Sequence, residues 1–195
     1  ERIPFEPDLG NASVGSGIEK STSAISSQGA IPGTRVMALF CFLWRAPNRR
    51  QPGEGCMKKV VFVLSGGPMP DDGFFREQRE RFGPVSIICA DGGARHACRM
   101  GVVPDLVIGD LDSLDGELQG SLVRQGSRIM RYPRDKDETD TQLALEMAFM
   151  MTPDEILVFG AIGARLDHTL ANLSLLHAAA ERAIPVRLVD EWCEV

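Results

Sequence analysis

The most regular feature of the sequence is an alternation, beginning near residue 57, of short apolar runs with longer amphipathic stretches. Val60–Leu64 is a continuous apolar run closed by Ser65-Gly66-Gly67-Pro68, the pattern of a strand buried on both faces and ended by a turn. Residues 72–82 read as a helix with Phe74, Phe75 and Phe82 on its buried side. A second strand is expected at 85–89, a short helix at 94–100 and a third strand at 106–108. A helix near 117–125 and a short strand at 127–131 follow. Residues 139–151 carry the strongest helical pattern: Thr139 and Gln142 stand at capping-box spacing, and Leu143, Leu145, Met147 and Met150 supply apolar surface. The series closes with a strand at 156–159, a helix at 168–182 with His177 in the core, and a strand at 185–189.

Strands separated by helical stretches require crossover connections. The expected fold is therefore α/β: three layers, a mostly parallel sheet with helices on both faces, Rossmann-like. Ligands of such sheets bind beyond the carboxyl ends of the strands. Those ends carry Ala90-Asp91-Gly92-Gly93-Ala94, Gly109-Asp110-Leu111-Asp112-Ser113, Asp135-Lys136-Asp137-Glu138-Thr139-Asp140 and the segment from Gly160 to Asp167-His168. Eight acidic residues thus gather at one edge, with Lys136 and Arg165 among them. Crowded carboxylates repel one another unless a cation is bound. Oxygen ligands without His or Cys favour Mg²⁺ over zinc. Asp110 and Asp112, at i and i+2, project from one face of an extended segment and can approach one metal together; the same residues also suit a turn and a helix N-cap. Gly92 and Gly93 let backbone N–H groups approach a phosphate, or simply make a tight turn. Lys136 is either a salt-bridge partner or a phosphate contact, and Asp167 either a helix N-cap or a site residue. His168 is expected to hydrogen-bond within the site.

Composition narrows the classes. With 195 residues, 44 % of them apolar, the chain can bury a sizeable core. A net charge of −6 without clustered Lys and Arg argues against nucleic acid as a partner. The longest strongly apolar run, residues 36–44, is nine residues long, about half a membrane span, so no membrane association is expected. Five Cys without a C-x-x-C pair read as free thiols in a reducing, cytoplasmic setting. Residues 1–56 hold 18 Gly, Pro or Ser and no sustained period, and are expected to be an unstructured leader before a domain at 57–195.

These strand-end segments, in this order, resemble the catalytic domain of thiamine pyrophosphokinases over residues 59–189. The anchors are A-D-G-G-A at 90–94, P-D-L-V-I-G-D-L-D-S at 104–113, D-K-D-E-T-D at 135–140 and G-A-R-L-D-H at 163–168. The resemblance implies transfer of the β,γ-diphosphate of ATP to thiamine, giving thiamine diphosphate and AMP, by a Mg²⁺-dependent homodimer with its site at the subunit junction. It implies Asp110, Asp112 and Asp140 as Mg²⁺ ligands and Asp91, Gly92 and Gly93 in the nucleotide pocket, with Arg165 and His168 beside them. Asp137, Lys136, Arg165 and Asp167 would frame the phosphates and the reacting end of thiamine. The catalytic set is then Asp112, Lys136, Asp140, Arg165 and Asp167, with the general base unassigned. The family continues into a β domain that helps form the thiamine pocket, so the resemblance reads this chain as a catalytic domain without it. A pterin diphosphokinase of related architecture and a non-catalytic Mg-nucleotide-binding fragment are the alternatives. A D-x-D phosphatase would want its motif after the first strand, and a D-x-D nucleotide-sugar transferase leaves Asp135–Asp140 unexplained.

Overall fold

Six short segments form six strands of one sheet, in spatial order β4-β3-β2-β1-β5-β6. The computed structural model describes residues 58–69, 71–163 and 165–195, so the expectation of a leader at 1–56 lies outside the described residues. In chain order the elements are β1 Val60–Leu64, α1 Asp72–Phe82, β2 Ser86–Ala90, α2 Gly93–Arg99, β3 Leu106–Gly109, α3 Gly116–Arg124, β4 Arg128–Arg131, α4 Asp140–Met150, β5 Glu155–Phe159, α5 Leu166–Ala180 and β6 Val186–Val189. Every pairing between named strands is parallel. An isolated antiparallel bridge joins Val189 to Glu194. The strand order reverses its direction of growth at β1, between β2 and β5, which is where a sheet of this kind opens a crevice for ligands.

One face of the sheet carries the aromatic core. Phe62 of β1 lies 5.7 Å from Phe75 and 6.1 Å from Phe82 of α1, edge to face, and 4.9 Å from Phe159 of β5. Ala94 and Ala97 of α2 and Leu122 of α3 complete that layer. The opposite face is covered by α4, which packs over β1, β2 and β3. This helix buries residues all round, from Thr141 through Leu143, Ala144 and Leu145 to Met147–Phe149, as a helix laid across the middle of a sheet must. Thr139 caps it, its hydroxyl accepting from the Gln142 N–H at 3.1 Å.

The last helix departs from expectation. α5 starts at Leu166, so Arg165 rather than Asp167 occupies the N-cap, and Asp167 and His168 lie in the first turn. It packs on β6 near the sheet edge and against α4, burying only Asn172 and Ala179. His177 is therefore exposed rather than part of the core. Among the described residues, no helix is long and apolar enough to cross a membrane.

Candidate active site

The carboxyl ends of β1, β2, β3 and β5 open onto one cavity of about 740 Å³, within the size range of nucleotide and cofactor clefts. Its floor is the Ser65–Pro68 loop after β1. The Ser65 N–H donates to the Phe159 carbonyl at 2.8 Å and the Gly67 N–H to the Gly160 carbonyl at 3.0 Å, tying the loop to the one after β5. The Ser65 and Thr141 hydroxyls are 2.7 Å apart and buried, which ties it to α4. From α2, His96 Nε2 stands 2.8 Å from the Gly67 carbonyl. A carbonyl only accepts, so Nε2 carries the proton; burial holds the imidazole pKa below its ordinary value, against the opposing hydrogen bond to Gly67.

Three carboxylates meet at the ends of β2 and β3. One oxygen from each of Asp91, Asp110 and Asp112 lies within 4.8 Å of the others. They converge by a different route from the extended one expected. Leu111 turns left-handed at φ 62° and is buried, while the Asp112 N–H donates to Asp110 Oδ1 at 3.2 Å. The segment is a turn anchored by Leu111, with Asp110 on the cavity wall and Asp112 exposed at its rim. Asp91, at φ 36°, replaces Asp140 as the third member of the group. Gly109 makes room for this crowd: a Cβ there would come 2.9 Å from Asp91 Cβ and 3.0 Å from Asp140 Cγ.

Asp140 is instead held by Lys136, whose Nζ is 2.8 Å from Oδ1 and which is itself largely buried. Arg134 approaches Asp112 at 3.6 Å. Among the described residues, no cation is paired with Asp91. Its Oδ1 is buried with no hydrogen-bond partner among the described residues. Burial first, then the charges of Asp140, Asp110 and Asp112, push its pKa up, the Ser113 hydroxyl opposing them. An orphaned buried carboxylate oxygen within a cluster of hard anionic ligands fits a divalent cation such as Mg²⁺.

At the mouth, Arg165 and Asp167 pair with each other at 2.6 Å, both exposed. The guanidinium holds the Asp167 carboxyl down at about 2. Of the residues expected in the site, Asp91, Gly92, Asp110, Lys136, Asp140, Arg165 and His168 line the cavity. Asp137 and Asp167 are exposed outside its lining. Gly93 is not among the lining residues; a Cβ there would sit 1.9 Å from the Leu64 carbonyl oxygen, so a glycine is needed for close helix-to-strand packing. Sequence reasoning missed Ser65–Pro68, His96, Thr141 and Asn172, all of which line the cavity. The Ser-Gly-Gly-Pro signal was visible after β1 but is equally the signal of a turn.

Residues 85–188 match the family described as "Thiamin pyrophosphokinase, catalytic domain". The chain is 30 % identical over 136 residues to thiamine pyrophosphokinase of Bacillus subtilis, covering 68 % of this chain and 61 % of that one. It is 30 % identical over 172 residues to thiamine pyrophosphokinase 2 of Oryza sativa, covering 74 % and 60 %. The crystal structure of the B. subtilis protein superimposes with a TM-score of 0.57 at 28 % identity, over 68 % of this chain and 61 % of that one. That of Geobacillus thermodenitrificans thiamin pyrophosphokinase gives 0.54 at 30 %, over 67 % and 59 %. The chain thus spans about 60 % of the length of these relatives.

Proposed function

Because the chain belongs to the thiamine pyrophosphokinase family, we propose that it is a thiamine diphosphokinase, converting ATP and thiamine to AMP and thiamine diphosphate. The observation that carries this reading is the convergence of Asp91, Asp110 and Asp112 within 4.8 Å at the edge of a cavity whose walls also hold Lys136. Such an arrangement suits a reaction that needs positioning and charge neutralisation more than covalent help. The relatives' names favour thiamine over a pterin as acceptor.

Asp91, Asp110 and Asp112 are the residues that would hold Mg²⁺, with Asp140 adjoining them. When bound, the ion neutralises charge on the diphosphate. Lys136, held by Asp140, lends a further positive charge at the phosphates. The thiamine hydroxyl oxygen attacks the β-phosphorus; the bond from that phosphorus to the α–β bridging oxygen breaks, and AMP leaves. The hydroxyl proton passes to a carboxylate of the cluster. Gly92 and the Ser65–Pro68 loop shape the nucleotide pocket, and Arg165 and His168 flank its mouth. The nucleotide and Mg²⁺ are assigned to an α/β domain at 57–195. A cytoplasmic homodimer fits this reading: Leu166 and Leu170, 69 % and 54 % exposed on α5 beside the mouth, offer apolar surface to a second copy.

ATP labelled at the β-phosphorus tests the chemistry. The label is expected in the thiamine product, with AMP released; ADP and a thiamine monophosphate would overturn the proposal.

A further inference from the structure

α5 turns one stripe toward the cavity: Arg165 at its N-cap, then His168, Thr169 and Asn172, the spacing of residues on one side of a helix. Arg165 and His168 are exposed, whereas Asn172 is 6 % exposed, a polar side chain set into the wall of the cavity. Its Nδ2 donates to the Ala161 carbonyl at 2.8 Å. Because that carbonyl can only accept, the amide has one orientation, and Oδ1 faces away from Ala161. No described residue donates to Oδ1, and Asn172 lines the cavity. Thr169, its neighbour on the stripe, is already committed: its hydroxyl accepts from the Gly163 N–H at 3.2 Å and donates to the Arg165 carbonyl at 3.1 Å. Asn172 therefore presents Oδ1 as an acceptor of fixed orientation, beside the second Nδ2 N–H that the Ala161 bond leaves over. An acceptor-only atom repels phosphate oxygens and selects an N–H or O–H donor.

We propose that Asn172 Oδ1 accepts a hydrogen bond from the exocyclic amine of an aminopyrimidine ring bound in the cavity, and so selects for that amine. The inference rests on the proposed function, both of whose substrates carry the group: the 6-amino group of adenine and the 4-amino group of the thiamine pyrimidine. A flat ring delivers this donor rigidly to a buried wall, and replacing it leaves the amide oxygen unpaired, the condition under which polar sites discriminate most strongly.

Isothermal titration of the full chain in MgCl₂ tests it with two matched pairs: ATP against purine riboside 5′-triphosphate, and thiamine against thiamine with hydrogen at C4. The wild type is expected to prefer the amino member of at least one pair by roughly tenfold, and the responding pair names the ring that Asn172 reads. In Asn172→Ala the preference is expected to shrink to about twofold or less, since the variant lacks the amide oxygen that Ala161 holds in place. Asn172→Leu, which keeps the volume filled, should behave the same way. Preference is a ratio within each variant, so a general loosening of the fold leaves it unmoved. No preference in either wild-type pair, or a preference that survives in both variants, would overturn the inference. Failure to bind ATP and thiamine at all would overturn the proposed function, and this inference with it.

Discussion

Neutralising Asp91 should make the metal-free protein more stable and the metal-loaded one less so. In Asp91→Asn the shape is kept and one charge is removed from a cluster whose oxygens lie within 4.8 Å of one another. Unit charges at that separation repel by about 1 kcal/mol in water and about 3.5 kcal/mol at an effective dielectric of 20. The Asp112 side chain is 53 % exposed and near Arg134, so its share sits at the low end. The half-buried Asp91–Asp110 pair sits between the limits. The Asp140 charge also acts on Asp91, reduced by its pairing with Lys136. Removing the Asp91 charge should then stabilise the metal-free fold by about 2 kcal/mol, roughly 4–8 °C in the unfolding midpoint.

Thermal unfolding in EDTA and in MgCl₂ reads both halves of the expectation. Wild type should gain stability with Mg²⁺, by about 2.7 kcal/mol at a hundredfold excess over the dissociation constant. Asp91→Asn should start higher and gain little. The pH dependence has a definite sign. The folded-state pKa of Asp91 is raised, so the folded protein holds this proton more tightly than the unfolded chain. The metal-free wild type is penalised above that raised value and relieved below the ordinary carboxylate range, a slope the variant should lack. A variant that melts lower than wild type in EDTA, or that keeps the full Mg²⁺ shift, would refute the repulsion argument.

Two further outcomes follow from the geometry. Gly109→Ala would place a methyl group 2.9 Å from Asp91 Cβ and 3.0 Å from Asp140 Cγ, at a backbone φ of 149°; urea unfolding should show a loss of about 2 kcal/mol, and the Mg²⁺-induced stabilisation should disappear. In Arg165→Ala the Asp167 carboxyl should return from about 2 to the ordinary carboxylate range in an NMR pH titration; because its value is depressed, the wild-type pair is complete above that ordinary range and is lost as pH falls through about 2.

The elements were legible because parallel strands buried on both faces leave a plain trace. β1 and β5 are buried at every position, so each is a short apolar run bounded by turn residues. The start of α5 was not legible for the converse reason. Its apolar residues continue around the helix while only Asn172 and Ala179 are buried, so periodicity carries no phase; Leu166 is 69 % exposed, and His177 fell on the wrong side. Spacing along the chain brought Asp110 and Asp112 together correctly, but the extended segment it implied is a turn. Asp91 joins them only because β2 and β3 are neighbours in the sheet, with Ala90 opposite Ile108. Strand order is a tertiary fact, and the sequence alone does not state it. Asn172 was hidden in the same way: a lone Asn in an apolar helix gains meaning only when the helix is docked beside Ala161.

Among the described residues, the four non-glycine residues with left-handed backbone divide into two kinds, and the division supports the location of the site. Thr152 (φ 48°) and Ala183 (φ 55°) follow the ends of α4 and α5, where a left-handed residue is an ordinary way to stop a helix. Asp91 and Leu111 stop no helix. Both lie just beyond strand ends, in the same carboxylate cluster, and each conformation costs of order 1–3 kcal/mol. Burial of the Leu111 side chain offsets part of its cost. Asp91 has no comparable offset among the described residues, since its Oδ1 is buried without a partner. An extended 110–112 segment would relieve the Leu111 strain, but it would lose the turn that holds Asp110 and Asp112 beside Asp91. The metal-free protein therefore holds strain and like charge at one place, on a six-stranded core able to support both. A divalent cation bound there would relieve the charge, so cation binding and the stability of this edge should rise and fall together.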